Sequence, residues 1–147
     1  MKPVTRYRGG FRWQDVALQP YKPEGTHFRD ISRQLLFGAD SGLGCELRYF
    51  EIERDGHSTL ERHAHPHAVL ILRGTGRVLV GSEVFELSAF DLVSVPPGSW
   101  HQFRAGPEDE LGFLCLVDRE RDRPLRPTAA ELRELKADPK LAAFIRT

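Results

Sequence analysis

Residues 35–117 consist of short apolar runs separated by turn residues, and this alternation constrains the fold more than any other feature of the sequence. The runs are QLLF, ELRYFEIE, AVLIL, RVLV, EVFELS, DLVSV, HQFRA and LGFLCLV, and most of the intervals between them contain Gly, Pro or Asp. Short strands with this punctuation are typical of a sandwich or a barrel and not of βαβ units. The sequence therefore predicts an all-β body.

The chain on either side of this body has a different character. Thr128 and Glu131 form a capping box at the start of one amphipathic helix, and Asp138 precedes Pro139 at the start of a second, shorter helix. The first thirty or so residues are rich in aromatic residues, Pro and Gly, and they predict an irregular arm that packs on the body. We expect one domain with three parts, namely the arm at 1–34, the barrel at 35–118 and the helical tail at 119–147.

Composition excludes several classes of protein. The 21 basic and 21 acidic residues cancel, so no net field attracts nucleic acid or an anionic membrane. The longest apolar runs are too short to span a bilayer, and the N-terminal sequence MKPVTRYRGG lacks the apolar segment of a secretory signal. We expect a soluble cytoplasmic protein in which Cys45 and Cys115 are free thiols.

A cluster of histidines is the strongest functional signal. Four of the six histidines lie between His57 and His67, and three of them alternate in the sequence ERHAHPHAVLILRG. Side chains at positions i and i+2 of a strand share one face, and imidazole is a common metal ligand. The cluster predicts a metal site, although one strand cannot direct all of these side chains at a single ion.

The stretch 56–74, together with FDLVSVPPGSWHQF at 90–103, resembles the two motifs of the cupin superfamily, which are small jelly-roll barrels. The first motif has Gly, five residues, His-x-His, three or four residues, Glu, six residues and Gly, and many small cupins have His in place of that Glu. The second motif has Gly, five residues, Pro-x-Gly, two residues, His, three residues and Asn. Here Phe90 and Ala105 stand where this motif has Gly and Asn. The resemblance covers roughly residues 40–117 and implies a double-stranded β-helix, or jelly-roll, barrel.

The resemblance also implies a set of metal ligands. Six residues separate His67 from Gly74, as the motif requires, and three residues further back comes His63. Glu61 lies two positions before His63, and a variant of the motif with four residues after Gly56 also reaches Glu61. Both ends of the motif therefore agree on one register.

The second motif adds His101, so the implied ligands are Glu61, His63, His67 and His101. The alternative places His65 in the position of Glu61, but it requires a two-residue deletion between strands and is less favoured. Three imidazoles and a carboxylate bind divalent Fe, Mn, Ni, Co or Zn, and ligand type does not choose among them. Such a set leaves adjacent positions on the ion open, which suits dioxygenase or isomerase chemistry.

Inward-facing side chains of the neighbouring strands are expected to line the substrate pocket. Arg48 is the polar member of this set and is positioned to hold a substrate carboxylate, although an exposed Arg paired with a nearby Glu is an equally open alternative. The predicted pocket residues are Arg48, Phe50, Val69, Ile71, Trp100 and Phe103.

These features predict a metal-binding, dioxygenase-like enzyme that acts on a small organic acid or on a phenolic or enol substrate. Two alternatives stay open: a non-catalytic small-molecule binding or sensor protein, and a cupin of the sugar isomerase or epimerase type. Because the edge strands of a small barrel must be paired or covered, we also expect a homodimer, formed through the arm or an edge strand. Neither nucleic acid nor membrane is an expected partner.

Overall fold

The computed structural model describes all residues 1–147 and contains nine strands and two α-helices. The strands are β1 (Gln19–Pro20), β2 (Arg29–Phe37), β3 (Cys45–His57), β4 (His67–Arg73), β5 (Thr75–Val80), β6 (Glu83–Ser88), β7 (Leu92–Val95), β8 (His101–Ala105) and β9 (Leu111–Asp118). The helices are α1 (Ala129–Leu135) and α2 (Pro139–Phe144), and a short 3-10 turn at Ala39–Ser41 joins β2 to β3.

All strand pairs are antiparallel and belong to one curled sheet with the order β6-β5-β8-β3-β9-β4-β7. Strand β2 pairs with β3 and carries β1 on its other side. Strands distant in sequence, such as β3 and β9, therefore become neighbours, as in a jelly roll. The predicted all-β fold with a short helical tail is confirmed.

Two local features differ from what the sequence patterns indicate. Strand β2 begins at Arg29, so it extends across the predicted boundary between arm and barrel. The interval Arg54-Asp55-Gly56 follows the run ELRYFEIE, and its Asp and Gly predict a turn. It lies instead within β3, where Asp55 has a φ of 60° and the register with β2 shifts. A Cβ on Gly56 would lie 2.7 Å from the carbonyl oxygen of Arg29, so this close backbone approach requires glycine. The strand bends at this bulge and continues.

Alternate residues of the central strands form the main core. In β9 the inward residues include Phe113 and Cys115, while Leu114 and Leu116 face outward. The rings of Phe103 and Phe113 stack with centroids 4.6 Å apart, and Phe50 stacks on Phe113 at 5.5 Å. These aromatic side chains line the cavity described below.

The C-terminal helices pack as the sequence predicts. The capping box of Thr128 and Glu131 is present at the start of α1, and Asp138 accepts a hydrogen bond at the start of α2. Helix α2 buries Leu141 and Phe144 in a second apolar cluster that includes Leu60 and Leu79. No helix of the chain is long and apolar enough to cross a lipid bilayer.

The N-terminal arm covers one face of β3. Phe11 stacks on Tyr49 with ring centroids 5.4 Å apart, and the side chain of Gln34 donates a 2.9 Å hydrogen bond to the carbonyl of Phe11. Further along, Tyr21 contacts Phe50 edge to face at 5.9 Å. The arm thereby brings Tyr21 and Lys22 to the cavity of the barrel.

Candidate metal centre and substrate pocket

Three histidines from different parts of the sheet meet inside the barrel. His67 is the first residue of β4, His101 is the first residue of β8, and His63 lies in the loop that precedes β4. One ring nitrogen of each lies within 4.8 Å of those of the other two. The ring centroids are 4.4 Å apart for His63 and His67, 4.7 Å for His63 and His101, and 5.3 Å for His67 and His101. Three imidazoles at this spacing can bind one ion.

The hydrogen bonds of two of these histidines define which nitrogen is free. The Nδ1 of His63 lies 2.6 Å from the carbonyl oxygen of His65, and the Nδ1 of His101 lies 3.0 Å from that of Ser99. Because a carbonyl only accepts, each Nδ1 carries the proton and each Nε2 has a free lone pair. Both Nε2 atoms are buried without a hydrogen-bond partner. Such orphaned, unprotonated nitrogens fit a divalent metal.

The electrostatic environment keeps these imidazoles neutral. Burial and the neighbouring His101 lower the pKa of His63 from 6.5 to about 4. Burial, together with His101 and His63, lowers the pKa of His67 to about 2, and burial lowers the pKa of His101. Metal ligation requires neutral imidazole, so the cluster is in the correct protonation state at neutral pH.

Glu61 lies beside the cluster but outside the group of three histidines. Its main chain exchanges hydrogen bonds with that of His101, at 3.0 and 3.2 Å, and its carboxylate lines the same cavity. The carboxylate forms a 2.5 Å ion pair with Lys22 of the N-terminal arm. A role of Glu61 as the fourth ligand stays a prediction.

His65 lies in the turn before β4, as expected if Glu61 and not His65 belongs to the ligand set. Its ring is stacked on that of His63, with centroids 3.7 Å apart and planes 7° from parallel. Its Nδ1 faces the carboxylate of Asp122 at 2.7 Å, so this ring nitrogen is not directed at the cluster. The side chain borders the site and supports His63.

A cavity of about 230 Å³ opens onto this cluster. His67, His101 and Glu61 lie on its wall, and Tyr21 and the three stacked phenylalanines supply apolar surface. The cavity is small and partly polar, as expected for a site that binds a small molecule. The cationic side chains that line it are those of Lys22, Arg33, Arg48 and Arg121.

Two of these cations lack partners for a buried donor. The Nε atoms of Arg33 and Arg48 are buried without a hydrogen-bond partner. Two carboxylates offset these four charges. Glu46 forms a 2.8 Å ion pair with Arg121, and Glu61 pairs with Lys22. Buried unpaired guanidinium donors are costly unless an anion binds them. The wall formed by Arg33, Arg48 and Arg121, here called the arginine wall, can therefore bind an anionic group.

The cavity also contains a thiol. Cys115 is free and buried on β9, and Arg48 donates a hydrogen bond to its Sγ at 3.4 Å. Burial raises the pKa of Cys115, and the charge of Arg48 opposes this effect. Cys45 is also free but lies at the start of β3 and does not line the cavity. A single thiol thus lines the cavity beside the arginine wall.

The predicted pocket residues separate into two groups. Arg48, Phe50 and Phe103 line the cavity. Val69 and Ile71 are buried in the main apolar core, and Trp100 packs against the cluster around α2. The inward parity of Val69 is as expected, but neighbouring core side chains cover it.

Several cavity residues are absent from the prediction because no local pattern indicates them. Tyr21 and Lys22 belong to the arm, whose path depends on tertiary packing. Arg33 and Arg121 lie on β2 and just after β9, two elements that meet the cavity only through the strand order. Cys115 differs from these residues because a local pattern does indicate it. It shares strand parity with the inward-facing Phe113, and it pairs with Val69 across β4 and β9.

Comparison with known proteins agrees with this geometry. A family model described as a cupin domain matches residues 48–117. The chain is 50% identical over 145 residues to a Rhodospirillum rubrum protein named 1-methylthio-D-xylulose 5-phosphate methylsulfurylase, which covers 98% of this chain and 92% of the relative.

Two crystal structures are also similar over nearly the whole chain. A cupin 2 conserved barrel domain protein from Rhodopseudomonas palustris has 52% identity and a TM-score of 0.93, covering 98% of this chain and 99% of the other. A cupin-2 domain from Rhodospirillum rubrum has 50% identity and a TM-score of 0.87, covering 97% and 96%. The arm and the helical tail therefore belong to the shared fold.

Proposed function

The chain belongs to the cupin superfamily, and on that premise we propose that it is a metal-dependent enzyme that acts on a methylthio-substituted ketose phosphate. The observation that carries this proposal is the joint presence of the histidine cluster, the arginine wall and Cys115 in one cavity. The relative named for 1-methylthio-D-xylulose 5-phosphate identifies a substrate with features that match these three elements.

The arginine wall supports a phosphorylated substrate. A phosphate monoester carries close to two negative charges at neutral pH and accepts several hydrogen bonds. The unpartnered Nε donors of Arg33 and Arg48 suit such a group. Arg48 was expected to hold a carboxylate, and a phosphate makes use of the same fork of donors with more charge. Arg121, held by Glu46, is a third donor for the same anion.

Cys115 supports chemistry at the methylthio sulfur. Attack of its sulfur on the methylthio sulfur forms an S–S bond and breaks the bond between that sulfur and C1 of the sugar. The electron pair remains on C1, next to the C2 carbonyl, as an enolate. The proton lost from the thiol balances the proton that C1 gains, so the products are a 1-deoxy ketose phosphate and a methyl disulfide on Cys115. A low-molecular-weight thiol then reduces that disulfide and carries away the methylthio group.

The residues of the cluster would hold the metal that assists this step. His63, His67 and His101 would bind a divalent ion, which when bound supplies Lewis-acid stabilisation of charge on a carbonyl oxygen. The three phenylalanines that line the cavity would shield the reacting carbon from water. The Lys22–Glu61 pair lies on the cavity wall and fixes the arm beside the substrate.

Comparison of two ketoses tests the substrate class. With Mn²⁺-loaded protein, isothermal titration should give clearly tighter binding of xylulose 5-phosphate than of xylulose. Replacement of Arg48 by Met should remove most of that difference, because the phosphate loses a bidentate partner. The same replacement of the exposed Arg123, which does not line the cavity, is the matched control. Equal affinity for both sugars would contradict a phosphate site.

The dioxygenase expectation stays a prediction with less support than this proposal. A phenolic or enol substrate makes no use of the several cations around the cavity, and a small organic acid offers them less negative charge than a sugar phosphate does. Of the two alternatives, a sensor would bind the ketose phosphate and leave it unchanged, and a sugar isomerase or epimerase would convert it without releasing the methylthio group. Turnover that releases the methylthio group therefore distinguishes the proposed enzyme from these alternatives.

A further inference from the structure

We infer that Asp122 is a positioning residue for the metal centre, which it reaches through His65 and not by contact with the ion. The inference rests on the proposed binding of metal by the histidine cluster. It concerns the turn between Arg62 and His67, which carries His63 but belongs to no strand of the sheet. The main-chain carbonyl of His63 accepts a 2.7 Å hydrogen bond from the N–H of Gly98, but this bond leaves the direction of the His63 ring to be fixed by other contacts.

The carboxylate of Asp122 holds this turn by three hydrogen bonds. Its Oδ2 accepts from the main-chain N–H of Ala64 at 2.7 Å, and its Oδ1 accepts from that of His65 at 3.1 Å. Oδ1 also lies 2.7 Å from the Nδ1 of His65, and this nitrogen must carry the proton because a carboxylate only accepts. These two main-chain N–H groups have no other partner.

His65 transmits this restraint to His63 in two ways. The carbonyl of His65 accepts the Nδ1–H of His63 at 2.6 Å, which selects the tautomer with a free Nε2. The ring of His65 also stacks on the ring of His63, at 3.7 Å between centroids. Main chain and side chain of one residue thus orient the same ligand, and both are anchored on Asp122.

Asp122 is itself held in place on both sides. Arg121 forms an ion pair with Glu46 on β3, and Leu125 exchanges two main-chain hydrogen bonds with Arg62, at 2.8 and 3.0 Å. Arg121 lies on the cavity wall, and its neighbour Asp122 bonds to the turn that carries His63. Adjacent residues therefore contact the two halves of the site.

The strength of this contact comes from its hydrogen bonds to the main chain. The side chain of Asp122 is 40% exposed, and an ion pair at such a position contributes little. Bonds from main-chain N–H groups to an ionised carboxylate are stronger and directional. They lower the pKa of Asp122, with the bond from Ala64 as the largest cause and the His65 side chain next. The carboxylate is therefore ionised at neutral pH.

The test measures metal affinity of purified full-length protein by competition with a chelator, using Mn²⁺ and Zn²⁺ as probes. Asp122→Ala should weaken binding by about 10- to 100-fold, the usual effect of removing a group that orients a ligand. Asp122→Asn, which keeps the shape but loses one acceptor, should fall between Ala and the unchanged protein. Glu120→Gln is the matched control, since Glu120 is exposed on the same segment, and its affinity should not change.

Thermal unfolding of the metal-free variants separates positioning from folding. A folded Asp122→Ala protein that binds both ions within about twofold of the unchanged protein would overturn the inference, since orienting groups have larger effects. If the unchanged protein binds neither ion, the proposed metal centre fails, and this outcome is distinct because it does not depend on Asp122.

A double-mutant cycle with His65→Ala tests the route. If Asp122 acts through His65, the two replacements should together weaken metal binding little more than the stronger of them alone. Full additivity of their effects would show that Asp122 does not act through His65 and would overturn that part of the inference.

Discussion

Single side chains form the proposed metal site, and their replacement gives the first prediction. Changing His63, His67 or His101 to Ala should abolish tight metal binding, because each removes one of three convergent neutral nitrogens. His27→Ala is the control, since His27 lies outside the cluster. Metal content after dialysis, measured by plasma mass spectrometry, gives the result. Full metal content in any of the three cluster variants would contradict the assignment.

Glu61 and His65 distinguish the two registers of the motif. If Glu61 completes the ligand set, Glu61→Gln should weaken metal binding more than His65→Gln, because it removes the sole anionic ligand. His65→Ala should still bind metal at saturating concentration, since its ring is directed at Asp122. A greater loss for His65→Gln than for Glu61→Gln would favour the alternative register.

Cys115 provides the second prediction. Cys115→Ser should abolish release of the methylthio group while leaving the binding of xylulose 5-phosphate within a few-fold, because a hydroxyl is a far weaker nucleophile than a thiol. Cys45→Ser is the matched control and should keep full activity, since Cys45 does not line the cavity. Turnover by Cys115→Ser at the normal rate would show that the free low-molecular-weight thiol reacts with the substrate directly.

The sequence identifies residues of the site where a motif fixes their spacing. His63, His67 and His101 could be predicted because the two motifs specify them as ligands, although β4 and β8 are not neighbours in the sheet. Lys22 and Arg121 could not, since they reach the cavity only through the packing of the arm and of the segment after β9. Asp122 is part of a run of charged residues, DRERDRP, in which no local pattern separates it from its neighbours.

Strands and helices follow the sequence closely where their patterns are local. The boundaries of β6 and β8 agree with the apolar runs, β5 begins two residues before the run RVLV, and the capping box places α1. The predicted turn at Arg54–Gly56 was wrong because Gly and Asp favour a turn and a bulge alike, and only the partner strand β2 decides between them. The path of the N-terminal arm could not be predicted, because it depends on contacts with Tyr49 that no local pattern encodes.

Helix α2 gives the third prediction, which concerns stability. Phe144 is 1% exposed, so Phe144→Ala should lower the free energy of unfolding by about 3–5 kcal/mol through lost burial and a residual cavity. Ala142→Gly in the same helix is a control for backbone effects and should cost about 1 kcal/mol. Urea unfolding of the metal-free proteins measures both. A loss below about 1 kcal/mol for Phe144→Ala would mean that α2 does not depend on this packing.

The molecule as a whole should be sensitive to acid, and this is the fourth prediction. Burial lowers the pKa of His57, His63, His67 and His101 in the folded protein. As the pH falls below about 6.5, the unfolded chain takes up protons that the native state excludes, so stability decreases with pH. For His63 this loss continues down to its pKa of about 4.

Urea unfolding of the metal-free protein at about pH 7.5 and about pH 5 measures this effect, and the free energy of unfolding should be lower at the acidic value. An equal or higher free energy at about pH 5 would contradict the buried, neutral state of the cluster. The same lowered pKa values mean that protons compete weakly for the ligands, so metal should stay bound below the ordinary imidazole range of about 6 to 7.

Assembly remains a prediction at this level. Strands β6 and β7 end the order of the sheet, and exposed Phe90 and Leu92 lie next to the edge at β7. A homodimer would cover such an edge.

The central claim is that the metal centre, the arginine wall and Cys115 act on one substrate, and a turnover measurement tests it most directly. Mn²⁺-loaded protein is incubated anaerobically with 1-methylthio-D-xylulose 5-phosphate and glutathione, and proton NMR follows the S-methyl signal. We expect that signal to move to a mixed disulfide of glutathione while a new C-methyl signal of the 1-deoxy ketose phosphate appears in equal amount. Both changes should be absent for Cys115→Ser and after removal of metal. An unchanged S-methyl signal with every divalent metal tested, from protein shown to bind that metal, would contradict the account.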